Sequence, residues 1–186
     1  MFDRQELRAV TQRFQRAVPR TAAWQLVSTF LPFLTVLAAM QAGLALGWWW
    51  ALLLGLPAAA LTVRVFALQH DCGHGSLFGT PQANDLVGRI CTLFTFTPYG
   101  HWRRQHAGHH AVWNDLDRRE RGTDIYSTCE TVAEYQAMSP GRRRLYRVMR
   151  HPLCMLLLFP PLVLLALYRL PYDAPSAGGG STVAFI

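Results

Sequence analysis

The sequence predicts an all-α fold with helices long enough to cross a lipid bilayer, and three observations lead there. Residues 21–63 contain no charged residue and no histidine. A second apolar run, LCMLLLFPPLVLLALYRL, occupies residues 153–170. Hydrophobic residues make up 51% of the 186 and charged residues only 16%, against roughly 25% charged in soluble domains.

Taken in order, residues 1–20 place Leu7, Val10, Phe14 and Val18 at helical spacing, with arginines on the other faces. That pattern suits an amphipathic segment on a membrane surface, or an ordinary surface helix leading into a span. The uncharged run that follows is too long for one crossing and suits two of about 20 residues each. The spans are placed at 22–42 and 48–68, with a tight turn near Gly43–Gly47. Trp48, Trp49 and Trp50 then fall at the interface, where indole rings prefer to lie. Pro57 is expected to kink the second span, and Arg64 to snorkel from its last turns. No cleavable leader is evident, since the apolar run far exceeds the 7–15 residues, roughly, of a signal core. Residues 86–99 are apolar but too short to span, so an interfacial or re-entrant piece is expected. Residues 101–152 are polar and Arg-rich. A third span is placed at 153–170, broken midway by Pro160–Pro161, and 173–186 reads as a loop-like tail. Residues 21–172 thus form one domain.

All the basic residues are arginine, and the formal charge is +7. Five arginines precede the first span, twelve lie from Arg64 to Arg150, and only Arg169 lies beyond. They flank apolar runs rather than forming one patch, which argues against nucleic acid. By the positive-inside rule the N-terminus and every histidine face the cytoplasm. The cysteines Cys72, Cys91, Cys129 and Cys154 show no C-x-x-C spacing and read as reduced thiols. Cys72 lies between two histidines, though a buried cysteine more often serves as a small hydrophobe.

Six of the seven histidines fall between residues 70 and 110, in HDCGH (70–74) and HWRRQHAGHH (101–110). His70 and His74 are four apart, and on a helix such residues share a face and can grip one metal ion. His106, His109 and His110 repeat the arrangement. Imidazole suits iron, zinc, copper and nickel. No H-E-x-x-H is present, so a zinc protease is poorly supported.

HDCGHGS (70–76) and WRRQHAGHH (102–110) resemble the first two histidine boxes of membrane fatty acid desaturases. VRVFALQHDCGHGSLF, TPYGHWRRQHAGHH, DLDRR, the stretch around 123–135 and RRRLYRVMRHP resemble the bacterial acyl-lipid branch in the same order, covering about residues 20–172. The apolar runs and the arginine placement thus give about three membrane helices with a cytoplasmic histidine-rich cap, and the resemblance fits an integral protein of the bacterial inner membrane. It implies His70, His74, His106, His109 and His110 as ligands of two non-haem irons, with O2 as co-substrate. His101 has another residue type at its place in the family and is the weaker ligand candidate. Asp71 is a candidate to orient a ligand imidazole, or to cap the helix end. Trp102 and Arg103 are expected to position the second box, Asp117 to pair with Arg118, and Asn114 to lie near the ligands. The implied substrate is a membrane lipid or other acyl chain, and the implied electron donor is a separate, ferredoxin-like protein. The family's third box has no counterpart after His151, so the chain is expected to be an N-terminal fragment whose C-terminal half is missing. Two other readings stand beside this one: a related diiron hydroxylase or ketolase of alkanes or carotenoids, and an inactive truncated remnant.

Overall fold

A computed structural model describes residues 3, 10–11, 16–112, 115–116 and 129–166. Most of the N-terminal segment, the 173–186 tail, Asn114, Asp117 and Arg118 lie outside the described residues. Within them every regular element is helical. The chain divides into two compact units, one up to Tyr99 and one from Gly100.

The first unit opens with α1, Pro19–Ala45, led by proline at its first position, where the missing N–H costs nothing. Its 27 residues reach about 40 Å, more than a bilayer core of about 30 Å. The stop is a Schellman turn. Trp48 N–H donates to Gly43 O at 2.9 Å, Gly47 N–H donates to Leu44 O at 3.0 Å, and Gly47 takes φ 79°, the left-handed cap that glycine enters without strain. The turn therefore falls where the glycines were expected to put it. The chain returns closely: a Cβ on Gly43 would stand 2.7 Å from that of Ala51. Trp48 and Trp50 stack at 5.2 Å, and Trp48, Trp49 and Trp50 are all exposed.

The return helix starts as a 3-10 stretch, Trp49–Leu54, and widens into α2, Gly55–Gly73. Pro57 therefore sits in the first turn of α2, where a missing N–H is tolerated. Together these elements form a second helix long and apolar enough to cross a membrane, Trp49–Gly73. It runs about a turn past the expected end and carries His70 inside its last turn.

The third helix, α3, is Pro81–Thr95, starting earlier than the apolar run suggested. Thr80 caps it by accepting from Ala83 N–H, and Pro81 stands at its head. Buried Asn84 ties down the preceding loop, donating to Phe78 O and Thr80 O and accepting from Phe78 N–H. At 15 residues it measures about 22 Å, too short to cross. Helix α2 packs against both α1 and α3. Val65, Leu68, Cys72, Leu77, Cys91 and Phe33 form the core between them, and Phe94 meets Phe30 and Phe33 edge-on.

The second unit contains α4, which begins at the boundary (Tyr99–Val112), then α5, Val132–Ala137, and α6, Pro140–Met149. A capping box starts α5: Thr131 Oγ1 accepts from Glu134 N–H, while the Glu134 carboxylate accepts from Thr131 N–H at 2.7 Å. Ser139 caps α6. After Arg150 a further helix passes through a π-helical stretch, Cys154–Leu158, into α7, Phe159–Leu165. His151 caps this helix, its Nδ1 accepting from Leu153 N–H at 3.3 Å. Pro160 and Pro161 do not break it. The wide π turn just before them changes the hydrogen-bond register, so the helix stays continuous to Leu165.

Candidate metal centre

The end of α2 holds the first histidine box. His70 is inside the helix and His74 is its C-cap. A second Schellman turn follows: Ser76 N–H donates to Asp71 O, Gly75 N–H donates to Cys72 O, and Gly75 sits at φ 69°. The glycine of HDCGHGS is thus the left-handed residue that lets the chain turn just past His74. The imidazoles of His70 and His74 face each other edge-on with centroids 4.5 Å apart, and their Nε2 atoms are 3.3 Å apart. On its other side His70 Nδ1 is 3.5 Å from the Asp71 carboxylate, a long contact that points the ring.

Helix α4 repeats the arrangement. His106 and His110 meet edge-on at 4.5 Å, with Nε2 atoms 3.1 Å apart. Trp102, buried, stacks on His106 at 4.6 Å and 16°. His109 is buried and lies parallel to His106 at 5.9 Å. His101 lies near the start of α4, outside the His106–His110 pair, and Arg103 is exposed.

Each pair fits a metal ion. Metal–nitrogen bonds of about 2.1 Å at angles between octahedral and tetrahedral put two ligand nitrogens about 3.0–3.4 Å apart. The observed 3.3 and 3.1 Å fall in that range. Without metal, one ring of each pair donates its Nε2–H to the other. In each pair one ring is half-buried and the other exposed, so a ligand can reach the nitrogens.

Two polar anchors hold the first box, and neither was evident from the sequence. Gln69, fully buried, donates from Nε2 to Thr97 O at 2.9 Å and accepts from Thr95 Oγ1 at 2.6 Å. This clamps α2 next to His70 onto the turn after α3, where Phe96 takes φ 55°. The Tyr99 hydroxyl donates to Cys72 O at 2.9 Å and lies 3.2 Å from Asp85. A lone glutamine in an apolar helix was the available signal, but its partners are 26 and 28 residues away. Cys72 is completely buried in the core, as a small hydrophobe would be. Burial pushes the Cys91 thiol up to about 11, so it stays protonated at neutral pH.

Replacing Gln69 by leucine keeps the volume and strands the Thr95 hydroxyl and the Thr97 carbonyl. The expected loss is about 1–3 kcal/mol, read as a lower melting midpoint in detergent; an unchanged midpoint would show that the clamp carries no stability.

A shallow groove of about 470 Å³ lies elsewhere in the second unit, lined by Tyr135, Gln136, Tyr146, Arg147 and Arg150 among others, with no histidine.

The fatty acid desaturase family model matches residues 46–177. A fatty acid desaturase of Bacillus subtilis (strain 168) is 33% identical over 156 residues, 84% of this chain and 44% of that protein. Two Arabidopsis thaliana proteins are also similar. One is an acyl-lipid omega-3 desaturase (cytochrome b5) of the endoplasmic reticulum, 33% identical over 62% of this chain and 26% of its own. The other is a chloroplastic sn-2 acyl-lipid omega-3 desaturase (ferredoxin), 31% identical over 60% of this chain and 26% of its own. The chain spans less than half the length of these curated relatives. No solved structure matches it. With the family model covering most of the sequence and both histidine boxes inside the match, the chain belongs to the fatty acid desaturase family.

Proposed function

We propose that this chain carries part of the machinery for O2-dependent desaturation of fatty acyl chains. In this reading His70, His74, His106, His109 and His110 hold non-haem iron, as a two-iron centre. The observation that carries it is the repeated pair, two imidazoles four residues apart with Nε2 atoms at 3.3 and 3.1 Å.

Iron, when bound, supplies with O2 the oxidising strength that no side chain has for an unactivated methylene. The rest is the work of this chain's residues. The exposed ring of each pair presents Nε2 to the ion. Asp71 accepts from His70 Nδ1–H, which fixes the tautomer that leaves Nε2 free to ligate. Trp102 holds the plane of His106. Gln69 and Tyr99 keep the end of α2 from fraying, so that the two rings stay on one face. The helices long and apolar enough to cross a membrane, Pro19–Ala45 and Trp49–Gly73, would bring the site to the bilayer that contains the acyl substrate. The arginine distribution favours the cytoplasmic face of a bacterial inner membrane. The names of the two plant relatives include cytochrome b5 and ferredoxin, which favours a separate one-electron carrier protein as donor.

Asp71→Asn keeps the size of the side chain and removes the charge. Outer partners of ligand histidines contribute about 10–100-fold to affinity. The 3.5 Å contact is long and half-exposed, so a loss near the lower end, about tenfold, is expected in a metal titration. An unchanged affinity would remove Asp71 from the account.

The functional test is expression in a bacterial host, followed by mass spectrometry of its membrane acyl chains beside a His74→Ala control. Acyl chains with a new double bond, absent from the control, are the expected result. Hydroxylated or keto products would favour the related hydroxylase chemistry instead. Profiles identical to the control, in a chain that binds no more iron than the control, would contradict the proposal.

A further inference from the structure

Helix α6 carries an apolar stripe that the fold does not use. Leu145, Val148 and Met149 are exposed at 58%, 53% and 44%. At about 100° per residue they share one side of the helix. The other side is engaged: Arg143 Nε donates to Met138 O, Tyr146 packs on Tyr135 with ring centres 5.7 Å apart, and the Arg150 guanidinium lies over the Tyr146 ring. Exposed Arg142 and Arg144 border the stripe, one on each edge. No acidic residue occurs between Glu134 and Asp173. Two residues, Arg150 and His151, separate α6 from a helix whose Leu153, Leu156, Leu157 and Leu158 are all exposed, so the end of α6 and the start of that helix lie within about 11 Å of each other along the chain.

We propose that α6 lies along the surface of an anionic bilayer, with Leu145, Val148 and Met149 among the upper acyl carbons and Arg142 and Arg144 at the lipid phosphates. An exposed apolar stripe bordered by arginines is the composition of an interfacial helix. The long arginine stems extend the apolar surface while the guanidinium groups reach the headgroups. Charge complementarity favours an anionic phospholipid surface over a protein groove, because exposed Arg142 and Arg144 border the stripe and α6 itself carries four arginines and no carboxylate. The apolar helix that begins at Pro152 would enter the same bilayer and hold α6 at its surface. This inference rests on the membrane reading above.

The test places a fluorophore at Leu145→Cys in the full chain with Cys129 and Cys154 replaced by serine, reconstituted into vesicles. A second probe, at exposed Leu34 of α1, reports separately whether the chain is in the bilayer. Brominated acyl lipids and aqueous iodide serve as quenchers. In vesicles containing phosphatidylglycerol, lipid quenching at Leu145 is expected to exceed iodide quenching by about threefold or more, and Arg142→Gln/Arg144→Gln to reverse that order. Strong iodide quenching at Leu145 would overturn the proposal, and so would protection from both quenchers, which would mean a protein surface covers the stripe. Equal lipid quenching in purely phosphatidylcholine vesicles would overturn the role of the arginines. If Leu34 itself escapes the lipid quencher, the membrane reading fails, whatever Leu145 does.

Discussion

Exchanging His74 and His106 together for alanine is expected to abolish iron binding while leaving the fold intact. Each substitution removes one nitrogen from a pair whose members are 3.3 or 3.1 Å apart, so neither pair can chelate. Losing an outer partner of a ligand already costs about 10–100-fold, so losing two direct donors should lower Fe(II) affinity beyond the upper end of that range. His74 is exposed and His106 half-buried, so neither supports the core, and helicity by circular dichroism should be unchanged. Ligand binding to the folded state raises its melting midpoint. The wild-type chain should therefore melt higher with Fe(II) than without, and the double variant should melt at one temperature in both conditions. A metal-dependent rise that survives in the variant would place the ion elsewhere.

Gly88→Ala is expected to be the most damaging small substitution in the first unit. A Cβ there would collide with Tyr99 Cε2 and stand 2.6 Å from Cδ2 and Cζ, inside the wall of a buried ring. The tyrosine must then move, and its hydroxyl leaves the Cys72 carbonyl that closes the first histidine box. Overpacking of this kind costs about 1–3 kcal/mol, to which the lost buried hydrogen bond adds. The cause is specific and can be isolated. Tyr99→Ala opens the space, so Gly88→Ala added to it should cost almost nothing more, a departure from additivity expected of groups in contact. Thermal melts of the two single variants and the double variant provide the comparison. If Gly88→Ala melts with the wild type, the ring does not pack as described.

Much of the helical layout can be read from composition. The uncharged run shows where two long helices lie, because its 43 residues are about twice the ~20 that one bilayer crossing needs. The glycines near 43–47 show where they turn, because a Schellman stop needs a left-handed residue. Less legible were features that depend on hydrogen-bond register. Pro160–Pro161 reads as a break, yet a π turn absorbs it. Pro57 reads as a kink, yet the change from 3-10 to α winding leaves it in a first turn. Helix α3 starts at Pro81 because Thr80 caps it, while the apolar pattern alone begins later. In the candidate site, the spacing of His70–His74 and His106–His110 was enough to foresee two facing pairs, since i and i+4 side chains adjoin on any helix. The supports for those pairs could not be foreseen. Gln69 meets Thr97, and Tyr99 meets Cys72, across separations of 28 and 27 residues, which only the packing of α2 against α3 brings together.

Both histidine pairs are expected to supply nitrogen ligands to iron. X-ray absorption at the iron edge, on the purified full chain loaded anaerobically with Fe(II), tests it most directly. A nitrogen-rich first shell at about 2.1 Å, with the outer-shell scattering of several imidazoles, is expected, reduced when either pair is replaced. A first shell of oxygen alone, or a spectrum unmoved by the loss of His70 and His74, would contradict it.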